Sequence, residues 1–107
     1  MKIWVDDIRP APEGYVWCKN LESALSKISM GMRNNILELI SLDHDSGTAT
    51  EYFCGKDFII VLNQMEYWQH EGVYNFNGIP IKLHSANPVG VENMRRVIKR
   101  NGWTEVK

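Results

Sequence analysis

The chain reads as an α/β protein built on a mostly parallel sheet. Three observations predict this. Short runs rich in β-branched and aromatic residues alternate with stretches whose apolar residues recur at helical spacing. Most of the short runs end in an acid or a histidine, as strands do when they carry polar groups to their carboxyl ends. The 107 residues are 44% hydrophobic, enough for one core and too short for two domains. A single domain spanning 1–107 is expected.

Lys2-Ile-Trp-Val5 reads as the first strand, ending in Asp6-Asp7. Ile8 to Gly14 holds Pro10, Pro12 and Gly14, which forbid a regular helix. Tyr15-Val-Trp-Cys18 is the second strand. Asn20 suits a helix N-cap, and Leu21, Ala24, Leu25, Ile28 and Met32 follow on one helical face, with Gly31 at or near the helix end. Glu38 to Asp43 is a third strand, and His44 to Thr50 a loop by composition. From about Lys56 to Glu71, Phe58, Ile59, Leu62, Met65 and Trp68 share a broad helical face, and Gly72 suits a C-cap. Ile79 to His84 is the fourth strand. Ser85-Ala-Asn-Pro-Val89 leads into a helix through about Asn101, with Val91, Met94, Val97 and Ile98 inward; Trp103 to Val106 is a last short strand. Trp4, Trp17 and Trp68 take core-like positions.

Composition excludes several classes. Twelve basic and thirteen acidic side chains leave a net charge of -1, so no bulk field draws nucleic acid or an anionic membrane. No apolar run approaches a membrane span, and the N-terminus turns acidic too early for a signal peptide. Cys18 and Cys54 lack a metal-type spacing and are expected as free thiols in a reducing cytoplasm. Arg95, Arg96, Lys99 and Arg100 read as a solvated face favoured by a helix C-terminus.

The chemistry gathers where strands run out. Asp6, Asp7 and Asp43 converge if the first and third strands are neighbours, and three clustered carboxylates repel unless a cation or proton relieves them. Oxygen ligation of that kind suits Mg²⁺; the alternative is that Asp6 and Asp7 cap a turn. His44 and His84 lie on separate strand ends, whereas His70 reads as surface. Two imidazoles that titrate near neutrality can supply a base and an acid together. Alternation along the strands sends both rings to the side opposite Asp43 and Ser85, with Cα atoms roughly 8 Å apart, provided that the strand lasts as far as His44. Ser85 and Asn87 open a helix and either hold an anion or cap the helix. Arg9 either clamps a phosphate or pairs with the acids beside it. Asp45 or Asp43 would orient His44. Asp43 to Thr48 misses the haloacid-dehalogenase spacing by one residue, and Gly47 falls on a ligand position of an EF-hand loop.

Trp-Val-Asp-Asp-Ile-Arg-Pro (4–10), Ile-Ser-Leu-Asp-His-Asp (40–45) and Leu-His-Ser-Ala-Asn-Pro-Val-Gly (83–90) together resemble the cyclic-phosphate processing receiver domain, a divergent branch of the response-regulator receiver fold. The resemblance implies a receiver-like (flavodoxin-like) sheet of about five strands. It matches Asp6 and Asp7 to the acid pair that holds Mg²⁺, Asp43 to the phosphoacceptor position, and Ser85 to the hydroxyl residue that contacts a phosphoryl group. His44 and His84 are characteristic of the branch. The implied activity is phosphoesterase-like processing of a cyclic phosphate, either a 2′,3′-cyclic RNA end in RNA repair or a cyclic nucleotide in phage conflict. The alternative is a non-catalytic module that binds a nucleotide or partner protein. The chain departs from the receiver pattern by lacking the first and last helices, and only Lys107 lies near the place of the receiver's lysine. Both missing helices belong on one face of the sheet. That face is expected to be a substrate groove or the surface of a homodimer.

Overall fold

The computed structural model describes residues 1–44 and 58–107. The elements are β1 (Lys2–Val5), β2 (Tyr15–Cys18), α1 (Leu21–Arg33), β3 (Leu39–Leu42), α2 (Ile59–His70), β4 (Pro80–Leu83), α3 (Pro88–Arg100) and β5 (Thr104–Val106). They form one five-stranded sheet in the order β2-β1-β3-β4-β5, with every neighbouring pair parallel. The chain is therefore receiver-like, with β1 and β3 adjacent at the centre.

Register decides which side chains share a face. Ile3 lies beside Val16 and Ile40, Val5 beside Cys18 and Leu42, and Ile81 beside Ile40. These residues meet Ala24 and Ile28 of α1, Val61, Leu62 and Met65 of α2, and Met94, Val97 and Ile98 of α3 in one core. All three helices thus cover the same face. Alternation sends Lys2, Trp4, Tyr15, Trp17, Ser41 and Lys82 to the other face, and no helix among the described residues lies against it. Trp4 and Trp17 accordingly leave the core positions that hydropathy assigned to them, whereas Trp68 packs against the core. An indole reads the same to a hydropathy pattern on either face; only the register separates them.

The helix starts follow side-chain chemistry. Asn20 takes an extended backbone, and its Oδ1 accepts from Ser23 N at 2.8 Å. Asn87 does the same for α3, accepting from Gly90 N at 3.0 Å. Gly31 lies near the end of α1, as expected, but not as its cap: the helix runs on to Arg33 and Asn34 is the C-cap. It is buried within the helix, where an added Cβ would meet Met1 Cε at 2.8 Å and Leu37 Cβ at 3.2 Å. Close packing selects the glycine; the turn that follows uses Asn35 at φ 58°.

Candidate functional site

The site begins where β1 runs out. Asp6 N donates to the Cys18 carbonyl at 3.1 Å and keeps the strand direction for one more residue. Its Oδ1 then accepts from Ile8 N and Arg9 N, both at 2.9 Å, which turns the chain. Two indoles of the helix-free face pin this turn. Trp17 Nε1 donates to the Asp6 carbonyl at 2.6 Å, and Trp4 Nε1 to the Arg9 carbonyl at 3.0 Å. Burial pushes the Asp6 carboxyl up, but the two backbone N–H groups and His84 outweigh it, so it lies below its usual range.

Arg9 crosses the acids. Its Nη1 donates to the His84 carbonyl at 3.0 Å, Nε lies 3.4 Å from Asp6 Oδ2, and Nη2 lies 3.6 Å from Asp43 Oδ1. The Arg9 side chain is 50% exposed, against 1% for Asp6 and 7% for Asp43. An incoming anion therefore meets the guanidinium before the carboxylates. The pairing of Arg9 with Asp6 is real, and the fork is anchored without being hidden.

His84 follows β4 and turns to the helix-free face. Its Nε2 lies 3.1 Å from Asp6 Oδ2 and its Nδ1 2.8 Å from Ser41 Oγ. The ring stacks on Trp4, with centroids 3.7 Å apart and planes 6° from parallel. Burial pushes the imidazole below its usual pKa, more than Asp6 and Asp43 raise it. A neutral ring facing a carboxylate carries its proton on Nε2, which leaves Nδ1 to accept from the Ser41 hydroxyl. Neither Ser41 nor Trp4 was given a role in the site from sequence; Trp4 read as a core residue. The available signal was a serine inside the apolar run Leu39-Ile-Ser-Leu42.

His44 goes the other way. β3 ends at Leu42, Asp43 Oδ1 accepts from His44 N at 2.9 Å, and the backbone bends. The ring packs on the first turn of α3: a Cβ added to Gly90 would lie 2.6 Å from His44 Cδ2. The expectation that both imidazoles share the helix-free face is thus corrected, because alternation stops where the strand does. Asn87 N donates to Ser85 Oγ at 3.1 Å, so Ser85 and Asn87 build the entry to α3 beside His44. Asn87 is the N-cap itself. Asp45 lies outside the described residues, as does Cys54.

Asp6, Asp7 and Asp43 each offer a carboxylate oxygen, and these atoms lie within 4.8 Å of one another. An all-oxygen set of three carboxylates fits a hard divalent cation such as Mg²⁺.

A five-stranded parallel sheet with an acid cluster at the carboxyl ends of its central strands defines a receiver-class domain. The chain belongs to the family described as the cyclic-phosphate processing receiver domain, whose model matches residues 1–100. No curated protein and no solved structure matches it. No helix among the described residues is long and apolar enough to cross a membrane.

Proposed function

We propose that this domain opens a cyclic phosphodiester to a phosphomonoester at the cluster formed by Asp6, Asp43, Arg9, His84 and His44. The observation that carries this reading is the Arg9 fork, held between Asp6, Asp43 and the His84 carbonyl and half exposed at the strand ends. Family membership supplies the substrate class.

In such a reaction water forms one new P–O bond, one ring P–O bond breaks, and a proton ends on the departing oxygen. Attack and departure occur on opposite sides of phosphorus. The two imidazoles lie on different sides of the sheet, His84 on the helix-free face and His44 against α3. One accepts the proton of water and the other protonates the leaving oxygen. Arg9 binds the non-bridging oxygens, with Ser85 at the entry to α3. Asp43, through its contact with the His44 backbone, sets that residue's position. When bound by Asp6, Asp7 and Asp43, Mg²⁺ would supply electrostatic stabilisation of charge on a phosphoryl oxygen.

A second reading, a non-catalytic module that binds a nucleotide, is favoured by one observation. Both ring nitrogens of His84 are already engaged within the protein. One experiment separates the two. 2′,3′-cyclic and 3′,5′-cyclic mononucleotides, cyclic dinucleotides and RNA with a cyclic-phosphate end are followed by phosphorus NMR, with and without EDTA. Turnover is expected, with His44→Ala and His84→Ala each reducing it by about 10²- to 10⁴-fold while the circular dichroism is retained. Unchanged hydrolysis in either variant rules out the paired-imidazole scheme. Saturable binding without turnover by the wild type selects the second reading.

A further inference from the structure

The helix-free face has a composition that neither a hydrophobic core nor an ordinary solvated surface requires. Trp4 of β1 lies beside Trp17 of β2, and Lys2 of β1 beside Tyr15 of β2. All three rings are partly exposed. Lys2 Nζ stands 5.7 Å from the Tyr15 ring centre, and Lys19 Nζ stands 4.3 Å from that of Trp17. Lys82 of β4 projects from the same face, in register with Ser41 and through it with Trp4. No Asp or Glu is found among the strand residues of this face. The chain as a whole is nearly neutral, at -1, so this local excess of cations is set by the fold.

We infer that this face binds single-stranded nucleic acid. Aromatic rings on neighbouring strands of an open sheet offer stacking surfaces to successive bases, and flanking lysines neutralise the backbone between them. From β1 to β4 is about 10 Å, the span of two to three stacked bases. A second copy of this chain is the competing occupant, and charge disfavours it. A two-fold interface would bring Lys2 and Lys82 of both copies into one dry contact with no carboxylate among the strand residues of either face to pair them. The platform also leads to the acid cluster. Trp4 carries the His84 ring, and His84 touches Asp6. A strand lying on the face therefore presents its end to Arg9. This last step rests on the proposed phosphoesterase reading and narrows its substrate to an oligonucleotide end; binding itself does not rest on it.

The test is fluorescence anisotropy on the full chain with labelled RNA of about eight nucleotides, carrying either a cyclic-phosphate or a hydroxyl end, over a range of salt. Binding that weakens with salt is expected. Lys2→Glu and Lys82→Glu, both substitutions on the outside of the sheet, should each weaken it about tenfold and flatten the salt slope. Trp17→Leu should weaken it by a similar factor with unchanged far-UV circular dichroism. The same lysine variants should hydrolyse a cyclic mononucleotide at the wild-type rate. RNA binding in the absence of any hydrolysis sinks the phosphoesterase reading and leaves the platform standing. Hydrolysis of mononucleotides with no RNA binding at low salt, or binding unmoved by all three substitutions, overturns the platform. Light scattering that shows a stable dimer which Lys82→Glu dissociates, with no RNA bound, assigns the face to a second copy and overturns it too.

Discussion

The His84 imidazole lies flat against the Trp4 indole, 3.7 Å between ring centres, while its two nitrogens reach Asp6 and Ser41. Trp4 in turn holds the Arg9 carbonyl, so one aromatic residue on the helix-free face of the sheet positions both the imidazole and the guanidinium of the site.

Trp4→Leu removes that stack and the indole N–H together. The lost ring pairing is expected to cost about 1 kcal/mol beyond the change in buried area. Urea unfolding followed by circular dichroism should show a lower midpoint with an unchanged slope. A midpoint equal to the wild type would mean that the stack contributes nothing to the fold.

Gly90 is where α3 and His44 touch. Gly90→Ala places a methyl group on the imidazole ring, 2.6 Å from Cδ2, and should destabilise the protein by about 1–3 kcal/mol. His44→Ala vacates that space, so the double variant should recover most of the loss. A double-mutant cycle measures this directly; additive costs would show that the ring and the helix are not in contact.

Acid should weaken the ion pairs that tie β5 and α2 to α3. Arg95 grips Glu105 of β5 with Nε and Nη2, each at 2.8 Å, and Arg100 grips Glu66 of α2 at 2.7 Å and 2.9 Å. Hydrogen bonds from Arg95 hold the Glu105 carboxyl below its ordinary value of 4.5, and those from Arg100 and Asn101 do the same for Glu66. A depressed folded-state pKa contributes stability above the unfolded value, and that contribution disappears as pH falls through the folded one. Melting temperature should therefore fall below about pH 4.5, and Glu105→Gln should flatten that limb. An identical acid limb in the variant would remove Glu105 from the account.

Cys18 is a free, buried thiol, and burial pushes its pKa up more than Lys27 and Ser23 lower it. A Cys54→Ser chain should react slowly with an aromatic disulfide at pH 8, and the rate should climb with urea as unfolding exposes the sulfur. Rapid labelling in the absence of denaturant would contradict the packing of β2 against α1.

Much of this was legible in the residues. Asn20 and Asn87 announce helix starts because an amide oxygen satisfies a backbone N–H wherever the chain leaves extended geometry. Pro10 and Pro12 exclude a helix between β1 and β2, and the structure has a loop there. Asp6, Asp7 and Asp43 come together because the acids end β1 and follow β3, and those strands are neighbours. Gly31 lies near the end of α1 as expected, but its close packing against Met1 and Leu37 was not legible, since a glycine chosen for packing looks the same in sequence as one chosen for a turn. His44 misled because period-two reasoning needs a strand, and the strand stops at Leu42.

The linear order of residues by itself determined the element types, the parallel α/β class and the chemistry at the strand ends, because those depend on local spacing and on backbone constraint. Only the tertiary structure decided that Trp4, Ser41 and His84 form one unit on the helix-free face and that His44 leans on α3. Those relations depend on which strands are neighbours and where each one ends, and neither is a property of any short stretch of chain.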